Sequence, residues 1–179
     1  MTAESPFEGE LIRLRAREPE DEPLSYQWFN DPVVTEFLTL RYPLSHRSER
    51  EFLEAQGQPG YRNASFSIVK RDGDSLIGGC SLEAASPENR SAVLGIAIGD
   101  KSYWDGGYGT DAMRVLCRFG FEQMNLHRIQ LDVYQGNDRA RHVYEKVGFR
   151  VEARRRQAHY KYGRYQDIYV MGLLEGELV

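Results

Sequence analysis

Cysteine, long apolar runs and excess positive charge are all scarce in this 179-residue chain. Its two cysteines, Cys80 and Cys117, are too few for a disulfide framework. No Cys/His cluster has the spacing of a zinc site, so no metal is expected. Each cysteine reads as a reduced, small core residue. No apolar run is long enough to cross a bilayer, and no membrane partner is expected. The opening Met1-Thr2-Ala3-Glu4-Ser5-Pro6 lacks the basic region and apolar core of a secretory signal. The expectation is a cytoplasmic protein. Lys and Arg total 23 against 27 Asp and Glu, a formal net charge of −4. That balance argues against nucleic-acid binding and is compatible with a cationic small substrate or a basic peptide. Repeats, linkers and low-complexity stretches are absent as well.

A composition of 41% hydrophobic and 28% charged residues fits one globular domain over residues 1–179, with a core from about 10 to 175. Residues 11–16 alternate as a half-buried strand does. Residues 19–30 read as a helix carrying Leu24, Trp28 and Phe29, stopped by Asn30-Asp31-Pro32. A second helix is expected over 45–56, with Ser45 as N-cap, Phe52 and Leu53 inward, and an end at 57–60. Strands at 65–71 and 76–85 flank the turn Asp72-Gly73-Asp74, and a third strand covers 91–99. A helix over 110–124 presents Ala112, Val115, Leu116 and Phe119 on one face, with Asn125 as a left-handed stop. A strand at 128–134, a helix at 139–147 closed by Gly148, and a hairpin of 151–160 with 165–173 around Gly163 complete the order. The strand–helix–strand link from Gly99 to Arg128 suits a parallel, right-handed crossover. The fold class is therefore α/β, a mixed, mostly antiparallel central sheet flanked by about four helices.

Trp104-Asp105-Gly106-Gly107-Tyr108-Gly109-Thr110 is the most informative stretch. Three glycines in four residues let backbone N–H groups approach a ligand with no Cβ in the way. The helix that follows points its positive end at the same place, where a phosphate or pyrophosphate fits. Downstream lies Asn137-Asp138-Arg139-Ala140-Arg141-His142-Val143-Tyr144-Glu145-Lys146-Val147-Gly148-Phe149.

Together these two motifs resemble the GNAT superfamily of acetyl-CoA-dependent N-acyltransferases. Gly107 and Gly109 match the two small positions of that family's pyrophosphate loop, while Trp104 stands where the family has Gln or Arg. Asn137, Ala140, Tyr144, Glu145, Gly148 and Phe149 match the second motif. The aromatic-Trp-x-x-Gly-Tyr loop, Met124-Asn125-Leu126-His127-Arg128, and Gly163-Arg164-Tyr165-Gln166-Asp167 before Met171-Gly172-Leu173 are similar to the branch that acetylates N-terminal amines of ribosomal proteins. The similarity runs from about Leu11 to Leu174. It implies acetyl-CoA as cofactor, an amine-bearing small molecule or peptide as partner, and leaves open a homodimer.

The chemistry sets what the residues must do. An alkyl amine near pKa 10 is mostly protonated at neutral pH, so a carboxylate or a water chain must take its proton before it attacks a thioester. The tetrahedral intermediate needs a donor for its oxygen, and the departing thiolate gains from a nearby O–H. The resemblance assigns that last role to Tyr144; by periodicity alone Tyr144 also reads as a core aromatic beside Val143 and Val147. Asn137 is either an N-cap or, as the family implies, a partner of the cofactor's pantetheine arm. Arg139 opens the same helix and reads as either a phosphate contact or a solvated side chain; Ala140 follows it. In the family the strand ending Ala97-Ile98-Gly99 parts from its neighbour and pairs with pantetheine. Gly99 then marks a bulge or a close ligand approach, and the N–H of Ile98 is the oxyanion donor; a glycine easing a strand end is the other reading.

Asp132 sits where many relatives carry Glu and is the candidate base, acting through water; a surface carboxylate paired with an arginine is the alternative. Glu83 is a second strand carboxylate able to face the acceptor. Phe37, Tyr42 and Tyr160 are candidate walls of the substrate cleft, with simple packing as the alternative for each. Arg154-Arg155-Arg156, with Lys161 and Arg164, alternate faces on a strand and read as a solvated edge. No Ser or Cys pairs with a base, so no covalent enzyme intermediate is expected. The reading is an N-acetyltransferase acting on a primary amine by direct attack, the alternative being a non-catalytic CoA-binding or interaction module on the same fold. Protein N-termini, polyamines, amino acids and antibiotic amines all remain open as acceptors.

Overall fold

The computed structural model describes residues 5–56 and 60–179. Seven strands form one sheet: β1 (Ile12–Arg15), β2 (Ala64–Lys70), β3 (Leu76–Ser86), β4 (Ser91–Ile98), β5 (Arg128–Tyr134), β6 (Arg150–Lys161) and β7 (Arg164–Leu174). Their spatial order is β1-β2-β3-β4-β5-β7-β6. Every neighbouring pair is antiparallel except β4 and β5, which run parallel. This is the expected mixed, mostly antiparallel sheet with helices α1 (Glu22–Phe29), α2 (His46–Gln56), α3 (Tyr108–Glu122) and α4 (Asp138–Val147). The parallel pair is joined by α3, the crossover that a parallel connection requires.

Periodicity explains why α3 lies against the sheet. Ala112, Met113, Val115, Leu116 and Cys117 are all fully buried, and they meet Leu82, Leu94, Ile129, Leu131 and Leu173 in one core. Full burial of a side chain such as Leu116 contributes about 2 kcal/mol. At the N-terminal turn of α3 the buried Asp111 carboxylate accepts from the backbone N–H groups of Leu11 (2.8 Å), Ile12 (3.0 Å) and Glu10 (3.2 Å). It pins the chain entering β1 to the helix, and a Cβ at Gly9 would collide with it. Both cysteines are buried and free; burial pushes the Cys80 thiol up to about 12 and raises Cys117 too.

In α2 Leu53 is buried as expected, but Phe52, also expected inward, is 44% exposed; in α1 Trp28 is buried and Leu24 is 42% exposed. The chain enters α1 through a tight turn at Pro19–Asp21, and the buried stripe then falls on Glu22, Ser25 and Trp28. The α1–α2 contact is correspondingly polar: Ser25 Oγ donates to Glu49, His46 pairs with Glu22 at 2.7 Å, and the rings of Tyr26 and His46 stack at 3.7 Å. An apolar-periodicity reading cannot find such a stripe. Ser45 caps α2 as expected, accepting from the N–H of Ser48 at 3.0 Å; the expected end of that helix falls partly at 57–59, outside the described residues. β6 is an edge strand whose Arg154 and Arg155 pair with Asp167 and Asp132, so the arginine run forms no continuous basic patch.

Candidate active site

The two parallel strands separate soon after they meet. Ser91, Ala92 and Val93 pair with Arg128, Ile129 and Gln130, and there the ladder stops. Beyond it β4 continues against β3 alone and β5 against β7 alone. A strand residue presents its N–H and C=O to the same neighbour. The N–H of Gly99 donates to Ile77 on β3 (2.9 Å), so the backbone of Ile98 faces the other way, into the gap. Its carbonyl there accepts from the Trp104 indole Nε1 at 2.8 Å. At Gly99 the space a Cβ would take is filled by the Trp28 ring. No bulge separates it from β3.

The glycine loop closes one end of this gap. Asp105 and Gly107 adopt positive φ (60° and 85°), and α3 starts at Tyr108, two residues earlier than the sequence suggests. The first intrahelical bond is Asp111 N–H to Gly107 O at 3.0 Å. The N–H groups of Tyr108, Gly109 and Thr110 therefore have no partner among the described residues, as helix geometry dictates. Gly106, Gly107 and Gly109 leave that end bare; a Cβ at Gly109 would meet no protein atom nearer than 3.8 Å. Tyr108 is held edge-on against Tyr103 at 5.0 Å.

Helix α4 supplies the facing wall. Asn137 caps it, Oδ1 accepting from Ala140 N–H at 3.3 Å. Arg139, in the first turn, lays its guanidinium over the Trp104 ring, 3.8 Å from the centroid. Thus the cation that the loop itself lacks is delivered from α4. Ala140 and Val143 pack on the core, and so does the ring of Tyr144, 6.3 Å from Phe149. The Tyr144 hydroxyl has no hydrogen-bond partner among the described residues, and burial pushes its pKa up to about 12. It stays protonated throughout the physiological range, the state a proton donor needs.

On the opposite side of the sheet lies a cleft of about 400 Å³ between the α1–α2 connection and the β6–β7 hairpin. Tyr42 and Tyr160 line it, with Phe29, Leu40, Arg41 and Lys161 among the other walls. Phe37 is placed elsewhere, beside Gly136 just ahead of Asn137. Glu83 is also outside the cleft; it accepts from Ser81 Oγ (2.8 Å) and pairs with Val93, where β4 and β5 are still bonded. Asp132 is exposed and paired with Arg155, as in the alternative reading of an arginine-paired surface carboxylate. Arg41, His159 and Lys161 were not singled out for this place by the sequence. Arg41 belongs to a segment without regular structure, and Lys161 read as part of a solvated basic run. Among the described residues no cluster of His, Cys, Asp or Glu is arranged to hold a metal ion, and no helix is long and apolar enough to cross a membrane.

Residues 12–150 match the family model described as an acetyltransferase (GNAT) domain. The chain belongs to the GNAT acetyltransferase family. An uncharacterized N-acetyltransferase of Bacillus licheniformis, p20, is 27% identical over 170 residues, covering 94% of this chain and 95% of that protein. YdaF of Bacillus subtilis, provisionally named a ribosomal N-acetyltransferase, is 34% identical over 103 residues, 58% of this chain and 56% of its own. The Vibrio cholerae spermidine N-acetyltransferase, solved in complex with CoA and spermine, superposes with a TM-score of 0.83 at 26% identity, over 93% of this chain and 96% of that one. This GNAT protein is an acetyl-CoA-dependent acetyltransferase. Its bare glycine loop, unpartnered helix N–H groups and Arg139 fit a pyrophosphate, and the open edge of β4 fits an extended amide-bearing arm.

Proposed function

We propose that this GNAT protein acetylates a primary amine on a small molecule or peptide by direct attack within a ternary complex. The observation that carries the reading is Tyr144 on α4: its ring is packed on the core, and its hydroxyl is protonated and without a hydrogen-bond partner among the described residues. Acetyl-CoA supplies the acetyl group as a thioester. The N–H groups of Tyr108, Gly109 and Thr110, with Arg139, bind its phosphates; Trp104, Asp105, Gly106 and Gly107 shape that cradle. Asn137, Ala140 and the backbone of Ala97, Ile98 and Gly99 line the path of the pantetheine arm. The N–H of Ile98 steadies the acyl oxygen, and Tyr144 Oη gives its proton to the departing sulfur. Asp132, held by Arg155, takes the amine proton by way of water. The loop and strand motifs favour the branch that acts on N-terminal amines of ribosomal proteins, and the two buried free thiols suit a reducing, cytoplasmic setting.

Initial-velocity kinetics test the direct attack. Double-reciprocal plots with acetyl-CoA and the amine both varied are expected to intersect. Parallel lines, together with an acetylated protein trapped in the absence of amine, would overturn it.

A further inference from the structure

The cleft between the α1–α2 connection and the β6–β7 hairpin sits over the tips of the two strands that separate. On one side Phe29 ends α1, and its neighbour Trp28 packs on Gly99 at the end of β4. On the other, Tyr160 and Lys161 follow His159, whose ring stacks at 4.1 Å on Tyr134, the last residue of β5. An acceptor in this cleft reaches the gap between β4 and β5 from the face opposite α3.

Its charge is one-sided. Arg41 and Lys161 are the charged residues of its lining, and no carboxylate lines it. Neither cation forms an ion pair with a described residue. Arg41 Nε and Nη2 donate to the Tyr160 carbonyl (3.2 and 2.9 Å), which leaves Nη1 without a partner among the described residues. Lys161 Nζ donates to the carbonyls of Thr35 and Leu38, the latter at 2.9 Å. Backbone carbonyls thus hold both cations in place without neutralising them. Glu36 is near enough to influence Lys161 but lies outside the lining. His159 lies beside Arg41, its Nδ1 3.5 Å from Arg41 Nη2 and its buried Nε2 without a partner among the described residues.

Resting on the amine-acetyltransferase reading, we infer that the acceptor carries a carboxylate, received by Arg41 with Lys161, and an apolar body laid on Phe29, Leu40 and Tyr42. Two fixed cations with no ion-pair partner among the described residues repel a polyamine and attract an anion. A guanidinium with free donors suits a carboxylate in particular.

Two matched pairs of acceptors test this, each bound to the CoA-loaded protein and followed by calorimetry: Ala-Glu-Ala amide against Ala-Gln-Ala amide, and phenylalanine against phenylalaninamide, with spermidine as the cationic comparison. The expected result is binding about tenfold tighter for the carboxylate member of at least one pair, the strength of a charge-assisted hydrogen bond. In Arg41→Gln that preference falls to near unity, while retained CoA binding shows that the fold persists. A preference in the peptide pair identifies a peptide acceptor; a preference in the amino-acid pair identifies a small molecule. Equal or tighter binding of both carboxamides, or of spermidine, overturns the inference, as does a preference that survives Arg41→Gln. Since binding is read without turnover, an intact preference with no acetylation in any arm would count against the transferase mechanism alone.

Discussion

The guanidinium of Arg139 lies 3.8 Å from the centroid of the Trp104 ring, joining the start of α4 to the loop that opens α3. Trp104 in turn donates to Ile98, so one indole ties together the end of β4, the loop and α4. This explains how a loop with Trp in place of the family's Gln or Arg still presents a positive charge. Arg139→Gln is expected to weaken CoA binding roughly tenfold in calorimetry, the value of a charge-assisted contact, with kcat much less affected. Unchanged CoA affinity would place Arg139 outside the phosphate site.

Gly109 separates folding from binding. Because its Cβ direction is open and it lies in the first turn of α3, Gly109→Ala is expected to keep or raise stability by about 0.5 kcal/mol. The added methyl occupies the cradle, so CoA affinity is expected to fall by about tenfold or more. Thermal unfolding and calorimetry on the same sample read the two effects. A variant that is more stable and binds CoA normally would show that the ligand does not approach this turn.

His159 gives the protein an acid-sensitive spot. Burial depresses its pKa, and the neighbouring cations Arg41 and Lys161 depress it further; Tyr134 covers its ring. As pH falls, the unfolded chain takes up this proton before the folded one does. The stabilisation is fully present above about 6.5, the ordinary histidine value, and is lost as pH drops below it. Urea midpoints measured between about pH 7.5 and 5.5 should decline less steeply in His159→Gln than in the parent chain. Identical slopes would remove His159 as the cause.

The parts of this fold governed by local rules were legible in the sequence. The apolar face of α3, the left-handed Gly148 and Asn125, and the span of β5 follow from periodicity and turn chemistry, and all appear in the structure. The glycine loop and the Asn137 cap were legible for the same reason. Polar and long-range relationships were not. The buried stripe of α1 holds Glu22 and Ser25 beside Trp28, so apolar residues alone do not reveal its face. Gly99 serves Trp28, 71 residues away in sequence. The Arg139–Trp104 stack and the cationic lining of the cleft each bring together elements distant in the chain, and no local pattern marks them; for Asp132 an arginine partner was legible but not that it is Arg155.

Tyr144 bears most of the mechanistic weight, and its substitution by Phe tests the account most directly. The variant keeps the ring on Phe149 and the core and removes only the hydroxyl. Steady-state kinetics with a productive amine, beside CoA calorimetry, should show kcat reduced by about a hundredfold or more, the worth of a positioned proton donor, with CoA affinity nearly unchanged. A Tyr144→Phe protein that turns over at the parent rate would contradict the account and return Tyr144 to the core as a packing aromatic.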